Sequence, residues 1–199
     1  SNSSALRPMP AVRAMAKKLG VDLSRVRASG ADGAVSLADF LDPQELSALY
    51  ERFVLAYFRR HHPHLRAGAP WVSGGIEDAP VFLPGLHTDI VLTGPQRTLI
   101  IDTKCYGRIL GSRYDRRILS PANRNQIYSY VMHEASDPRQ SGREVAGMLL
   151  YAQTAVDPPI RETWTETGHR FHVRTLDLDR DFTEIAAQLD DVAALLAPT

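Results

Sequence analysis

The residues best suited to chemistry lie on two adjacent apolar segments. The first segment holds Asp89 in His-Thr-Asp-Ile-Val-Leu, and the second holds Asp102 and Lys104 in Thr-Leu-Ile-Ile-Asp-Thr-Lys. Branched apolar residues predict a β-strand in each segment, and Gly94-Pro95 between them predicts the turn of a hairpin. Because side chains alternate along a strand, Asp102 and Lys104 should share a face, and Asp89 should lie beside Asp102 on the neighbouring strand.

Two carboxylates at this separation favour a cation between them. Like charges held close together repel each other, and Mg²⁺ prefers the oxygen ligands that Asp89 and Asp102 would supply. Lys104 could orient or deprotonate a water bound to that ion. The alternative is a surface hairpin in which Asp102 and Lys104 form an ordinary ion pair.

Two predicted helices bring further polar side chains. Asp42-Pro43 predicts the start of a helix over residues 44–61, and Glu51 lies beside its apolar face. In a second helix after the hairpin, Gln126 and Tyr130 are four residues apart and so share a face. Taken singly, each of these three side chains also fits ordinary helix packing.

The order of these residues resembles the PD-(D/E)XK nuclease superfamily. Asp89 is followed by Asp-Thr-Lys at 102–104 and by Gln-x-x-x-Tyr at 126–130. Two segments are similar to the McrC type of that superfamily: Leu-Tyr-Glu-Arg-Phe-Val around Glu51 and Gly-Met-Leu-Leu-Tyr at 147–151. The Gln-x-x-x-Tyr motif resembles one that occurs in both McrC-type and RecB-like nucleases.

This resemblance covers about residues 44–152 and implies both a fold and an activity. The fold is α/β, with a restriction-endonuclease-like αβββαβ core around a central mixed sheet. The activity is Mg²⁺-dependent (or Mn²⁺-dependent) cleavage of double-stranded DNA, in a McrBC-like restriction or defence system with a GTP-hydrolysing McrB-like motor subunit. The implied site consists of metal ligands Glu51, Asp89 and Asp102, the water-positioning or water-activating Lys104, and the supporting Gln126 and Tyr130.

A basic segment follows the proposed catalytic strand directly. Between Arg97 and Arg124 there are seven basic and two acidic residues. Arginine contacts to phosphates position DNA without reading its sequence. The expected DNA-contacting residues are Arg108, Arg113, Arg116, Arg117 and Arg124.

A second basic cluster, residues 59–66, lies where the first helix is predicted to end. It could complement the helix dipole or contact phosphate. Zinc binding by His61, His62 and His64 is a further alternative, but Pro63 breaks the helix there and no fourth ligand is evident.

Residues 7–41 are predicted to form a small separate domain of two short helices. The segments Pro-Ala-Val-Arg and Ala-Lys-Lys-Leu-Gly-Val-Asp-Leu-Ser-Arg-Val, followed by a glycine-containing loop, resemble the peripheral subunit-binding (E3-binding) domain of 2-oxoacid dehydrogenase acyltransferases. The resemblance implies docking on another protein or on DNA, and a passive spacer is the alternative. Residues 1–6 are expected to be a cloning remnant or disordered, and residues 42–199 to form the nuclease domain.

Composition excludes several classes of protein. The 199 residues have a formal net charge of zero; residues 1–41 hold six basic and three acidic side chains, so they carry +3 and the remainder −3. That is not the overall basicity of a typical nucleic-acid binder, so DNA attraction must come from local patches. No apolar run is long enough to span a membrane, and the single cysteine, Cys105, excludes an internal disulfide and a multi-cysteine zinc site. We expect a cytoplasmic protein, with Cys105 in the core.

The other predicted elements complete the sheet and close the chain. Ala69–Ser73 is expected to start the sheet, a polar loop to run from Cys105 to about Ala122, and residues 144–152 to form a buried strand. Residues 170–176 alternate as an edge strand would, and residues 185–196 predict a closing amphipathic helix.

Two other functions fit the same sequence. One is a non-catalytic module that docks DNA or protein on a degenerate nuclease fold, although the intact Asp89, Asp102 and Lys104 disfavour it. The other is a metal-dependent hydrolase of RNA, because selection by the 2′-hydroxyl leaves no signature in sequence.

Overall fold

A computed structural model describes most of the chain. The described residues are 7–8, 34–35, 43–72, 86–105, 110–113, 116–153 and 158–198, and side chains are described for 44–70, 87–105, 119–153 and 158–198. Within them, no helix has the length and apolar character needed to cross a bilayer. The two predicted N-terminal helices lie outside the described residues. In that part of the chain the described residues are Arg7–Pro8 and Ala34–Val35, which pair as two parallel strands.

The described elements alternate between strands and helices along the chain. The α-helices are α1 (Pro43–His61), α2 (Pro121–Ser136) and α3 (Phe182–Ala193), and short 3₁₀ helices span Pro63–Leu65, Pro138–Gln140 and Ala194–Leu196. The strands are β1 (Arg7–Pro8), β2 (Ala34–Val35), β3 (Trp71–Val72), β4 (Leu86–His87), β5 (Ile90–Thr93), β6 (Arg97–Lys104), β7 (Leu110–Arg113), β8 (Arg116–Leu119), β9 (Glu144–Ala152), β10 (Arg161–Glu166) and β11 (His169–Leu176).

A mixed five-stranded sheet in the order β10-β11-β9-β6-β5 forms the centre of the fold. The inner strands β6, β9 and β11 are parallel, whereas β5 and β10 pair antiparallel at the two edges. Parallel strands covered on both faces are largely apolar, as β9 is along most of its length and β6 is at its centre, Leu99-Ile100-Ile101. The predicted α/β class with a central mixed sheet is therefore confirmed, and the sheet is consistent with a restriction-endonuclease-like core.

Helices cover both faces of this sheet. On one face, Phe58 of α1 and Leu189 of α3 pack with Ile101 and Met148 of the sheet in one buried cluster. On the other face, α2 packs against Leu149, Tyr151 and Phe171. Alternate residues of β6 and β9 thus enter different cores. Cys105 lies in the first core, 8% exposed, as predicted.

Three sequence predictions about secondary structure were wrong, and one strand was missed. Trp71–Val72 pairs with β4 in a separate two-stranded ladder and does not start the central sheet. The predicted polar loop after Cys105 contains an antiparallel pair, β7 with β8. Strand β11 is not an edge strand, since β10 pairs with its outer side. That outermost strand was not predicted, because Arg-Glu-Thr-Trp-Thr-Glu is mostly exposed and has too few apolar residues to indicate a strand.

Candidate active site

Asp89 and Asp102 lie side by side at one end of the β5–β6 hairpin. Ile90 pairs with Ile101, so Asp89, directly before Ile90, is opposite Asp102 in the ladder. The Asp89 carboxylate is held by its neighbour on β6, because Thr103 donates to Asp89 Oδ2 from both its backbone N (2.7 Å) and its Oγ1 (2.8 Å). The predicted placement of the two carboxylates is confirmed.

Lys104 connects the carboxylates to α2. Its Nζ lies 2.7 Å from Asp102 Oδ2 and donates to Gln126 Oε1 at 2.9 Å. Gln126 Nε2 in turn donates to the hydroxyl of Tyr130 at 2.9 Å. The prediction that Asp102 and Lys104 share a face is confirmed, and four of the predicted site residues form one continuous polar chain.

Two local features place α2 so that Gln126 reaches Lys104. Ser120 caps the helix by accepting a hydrogen bond from the backbone N of Asn123, and Pro121 occupies its first turn. Further along, the helix packs directly onto Gly147 of β9. A Cβ at that position would lie 2.7 Å from Val131 Cγ2 and 2.8 Å from Ile127 Cγ1, so a side chain there would force the helix away from the sheet.

Burial makes Asp102 the most perturbed carboxyl of the site. It is 1% exposed, and its burial raises its pKa to about 6; Lys104 opposes this rise and Asp89 adds to it. Asp102 Oδ2 is sealed from solvent and accepts no hydrogen bond of good geometry from the described residues, since the Lys104 contact is an ion pair only. A buried carboxylate oxygen without a hydrogen bond is costly unless a cation satisfies it.

Glu51 approaches the same place from α1. With Asp89, Asp102, Lys104 and Gln126 it lines an open cleft of about 490 Å³. Burial, and then the charge of Asp89, raise the pKa of Glu51. All six predicted site residues are therefore gathered around one cleft, five of them in its lining and Tyr130 behind Gln126.

The donor set of this cleft fits a hard divalent cation. Carboxylate oxygens are the ligands that Mg²⁺ prefers, and the buried Asp102 Oδ2 would gain a second cationic partner beside Lys104. Across the described residues, however, no three side chains of the His, Cys, Asp and Glu types lie close enough together to hold a metal ion. Two carboxylates with water would satisfy Mg²⁺, which usually keeps several waters.

The predicted DNA-contacting arginines are only partly described. Arg108 lies outside the described residues, and Arg113, Arg116 and Arg117 are placed by backbone alone in β7 and β8. Arg124, in the first turn of α2, forms an ion pair with Glu166 of β10 (Nη2–Oε1 2.5 Å).

Two histidines at the end of α1 contact an aspartate and a tyrosine. His62 Nε2 lies 2.7 Å from Asp190 Oδ1 in α3, and His61 stacks on Tyr57. The first contact joins the end of α1 to α3, and the second lies within α1.

Sequence reasoning missed two residues that organise the site. Thr103 was treated as the variable position of the Asp-x-Lys motif, yet it orients Asp89 by two hydrogen bonds. Gly147 was noted only as part of a similar segment. A glycine within a buried strand is itself a signal of close backbone approach, and it could have indicated where α2 packs.

Comparison with known proteins gives two independent matches. Residues 7–39 match the family model of the E3 binding domain. Over 153 residues, 75% of this chain, the sequence is 26% identical to the type IV methyl-directed restriction enzyme EcoKMcrBC of Escherichia coli strain K12. The chain spans about two fifths of that relative's length, 42%.

Proposed function

We propose that this protein is a divalent-metal-dependent endonuclease that hydrolyses phosphodiester bonds of double-stranded DNA. The observation that supports this most directly is the cleft in which the buried carboxylate of Asp102 lies between Asp89 and Lys104. The 26% identity to a restriction enzyme supports the same activity and adds DNA as the substrate.

Asp89 and Asp102, together with water, would hold Mg²⁺ or Mn²⁺, and Glu51 lines the same cleft. When bound, the ion supplies the charge that lowers the pKa of an attacking water and stabilises the phosphate in an in-line displacement. Asp102 is suited to bind it because burial has already removed the water that would otherwise solvate the carboxylate. Thr103 keeps Asp89 Oδ2 fixed, so the two carboxylates need little rearrangement on binding.

Lys104 would orient the attacking water and the scissile phosphate. Its ammonium is anchored between Asp102 Oδ2 and Gln126 Oε1, and the side chain lines the cleft. Gln126 is fixed in turn by Tyr130, so its carbonyl oxygen faces Lys104. A point charge held in this way stabilises negative charge that develops on a phosphoryl oxygen.

The remaining parts of the proposal concern partners. Residues 7–39 would dock another protein or DNA, as the match to an E3 binding domain supports. A GTP-hydrolysing McrB-like subunit would be the motor partner, because the restriction enzyme to which the chain is similar is named as McrBC.

Cleavage of supercoiled plasmid tests this function. The protein should nick the plasmid with Mg²⁺ or Mn²⁺, EDTA should stop the reaction, and Asp102→Ala should abolish it. Arg139→Ala is the matched control, since that arginine pairs with Asp137 at the far end of α2.

Two experimental outcomes would assign a different function. Preferential cleavage of RNA in a competition with the plasmid would assign a ribonuclease. Tight DNA binding without cleavage, with and without a McrB-like partner, would assign the non-catalytic docking module.

A further inference from the structure

A second cleft opens between the end of β11 and helix α3. Its volume is about 510 Å³, similar to that of the first cleft. Its walls combine apolar groups from Pro159, Ile160 and Ala187 with the side chains of Gln153 and Arg174. None of the residues assigned to the nuclease lines it.

Arg174 is the unusual member of this lining. It is only 9% exposed, yet it forms no hydrogen bond or ion pair with any other described residue. Phe171 and Val173 enter the core under α2, so alternation turns Arg174 toward α3 and this cleft. Its nitrogens are not sealed from solvent, since none is among the fully buried polar atoms that lack a partner.

The other charges of the cleft are already compensated. Arg161 Nη1 lies 2.6 Å from Asp191 Oδ2, and Arg180 Nε lies 2.8 Å from Asp177 Oδ2. Asp191 also acts on Arg174 at longer range, but burial and the nearby Arg161 outweigh it and lower the pKa of the Arg174 guanidinium. Glu184 Oε1 lies 3.9 Å from Arg180 Nη1, so Arg174 is the one charged residue of this lining that forms no ion pair with another described residue.

The charge pattern selects one class of ligand. A guanidinium presents paired N–H groups that match the two oxygens of a carboxylate. Glu184 and Asp191, which line the same cleft, would repel a phosphate dianion or a polyanion more strongly than they would repel the single charge of a carboxylate. Gln153 offers an amide donor beside it.

We propose that this cleft is a carboxylate-binding site, in which Arg174 holds one carboxylate of a peptide or small organic acid. The group would be a peptide C terminus or an acidic side chain lying over Pro159, Ile160 and Ala187. The site is separate from the proposed nuclease centre and does not depend on it, so Arg174→Gln should leave metal-dependent plasmid cleavage unchanged.

Nitrogen-15 NMR of the arginine Nε–H groups of the full chain tests the proposal. The Arg174 signal is identified by its loss in Arg174→Gln, and the Arg170 signal is the internal control because Arg170 pairs with Glu144 elsewhere on the sheet. The probes are acetate, acetyl-trialanine with a free C terminus, acetyl-aspartyl amide and inorganic phosphate. We expect a saturable shift of the Arg174 signal with a carboxylate probe, at an affinity at least about threefold above that for phosphate.

The pattern among the probes distinguishes the two sources of carboxylate. Tighter binding of acetyl-trialanine indicates a chain terminus, and tighter binding of acetyl-aspartyl amide indicates an acidic side chain. The proposal is overturned if no carboxylate gives a saturable shift, or if phosphate binds as tightly.

Thermal unfolding without ligand gives a second, independent readout. A buried guanidinium without a partner costs stability, so Arg174→Met, which keeps the aliphatic stem, should raise Tm by about 2 °C or more. Addition of the tightest carboxylate should raise the Tm of the wild type but not of the variant. A lower Tm in Arg174→Met would show that the guanidinium already has a partner within the chain, and would overturn the proposal.

Discussion

At the scale of single residues, the site depends on how neighbouring side chains hold Asp102 and Lys104. Lys104 is fixed by an ion pair on one side and by Gln126 on the other, and Gln126 is fixed by Tyr130. An amide is symmetric in shape but not in chemistry: the Lys104 ammonium can only donate and so selects the Gln126 oxygen, and the Tyr130 hydroxyl holds the amide nitrogen at the other end. This gives Tyr130 an influence on catalysis although it does not line the cleft.

Tyr130→Phe should therefore slow DNA cleavage without unfolding the protein. In metal sites, loss of a group that orients a ligand lowers activity on the order of 10- to 100-fold. We expect the single-turnover rate of Tyr130→Phe to fall within that range. Tyr128→Phe is the matched control, because Tyr128 is on the same helix and its hydroxyl contacts Thr167. Equal rates for Tyr130→Phe and Tyr128→Phe would rule out an orienting role.

Asp102 should make stability depend on pH. Its pKa is raised from 3.8 to about 6, so the folded state binds this proton more tightly than the unfolded state. The resulting stabilisation is fully present below about pH 4 and is lost as the pH rises through about 6, a change of about 3 kcal/mol.

Urea unfolding in EDTA tests this dependence. Between about pH 4 and about pH 7, which covers most of this change, the free energy of unfolding of the wild type should fall by about 2 kcal/mol relative to that of Asp102→Asn. Parallel pH profiles for the two proteins would show that the carboxyl is not perturbed.

At the scale of secondary-structure elements, the contact between α2 and β9 positions the site. The helix carries Gln126 and Tyr130 on the turns that also hold Ile127 and Val131, and the latter two pack on Gly147. The distance between helix and sheet, and hence the reach of Gln126, is set by the absence of a side chain at that glycine.

Gly147→Ala should disturb stability and activity together. The added Cβ would approach Val131 and Ile127 within 3 Å, and overpacking of this kind costs about 1–3 kcal/mol. Gly68→Ala is the control, because its Cβ would meet nothing closer than 3.9 Å. The measurements are urea unfolding and plasmid cleavage; a Gly147→Ala variant as stable and as active as Gly68→Ala would contradict the close packing.

The elements also show how far sequence can predict this fold. Residues 144–152 were predicted as a buried strand and form one, because an apolar run in a parallel sheet is a strong local signal. Strand β11 was predicted as an edge strand because His172 and Arg174 alternate with apolar residues, which suggested a solvent-facing side. In the structure α3 covers that side, so these polar residues are buried. Local alternation cannot reveal which distant helix covers a face.

In the candidate site, too, local pattern places some residues and distant packing places the others. Asp89, Asp102 and Lys104 could be placed from hairpin pairing and the period of a strand, both of which are local. The contact from Lys104 to Gln126 depends on how a helix packs on a distant strand. The order of the motifs indicates that these residues belong to one site, but the sequence does not give the distance between them. Nothing in the local pattern singles out Arg174, since its significance lies in having no ion pair or hydrogen bond with the described residues around it.

At the scale of the whole molecule, a chain of zero net charge must attract DNA through local patches. The segment from Arg97 to Arg124 is the most basic part near the site, and β7 and β8 within it form an antiparallel pair. Phosphate contacts from such a pair would supply affinity that is independent of sequence and sensitive to salt.

Arg116→Ala combined with Arg117→Ala should weaken DNA binding uniformly across DNA sequences. If each arginine neutralises one phosphate, the slope of log affinity against log salt concentration should fall by about 2 in total. Fluorescence anisotropy with two unrelated duplexes measures both quantities, and Arg139→Ala serves as the exposed, ion-paired control. An unchanged slope would place the DNA surface elsewhere.

The most direct test of the account separates metal binding from catalysis. Mn²⁺ binding by calorimetry and plasmid cleavage would be measured on the same samples of wild type, Asp102→Ala and Lys104→Ala. We predict that Asp102→Ala loses both Mn²⁺ binding and cleavage, whereas Lys104→Ala keeps Mn²⁺ binding and loses cleavage. Undiminished Mn²⁺ binding by Asp102→Ala, or undiminished cleavage by Lys104→Ala, would contradict the assignment of this cleft as a metal-dependent nuclease centre.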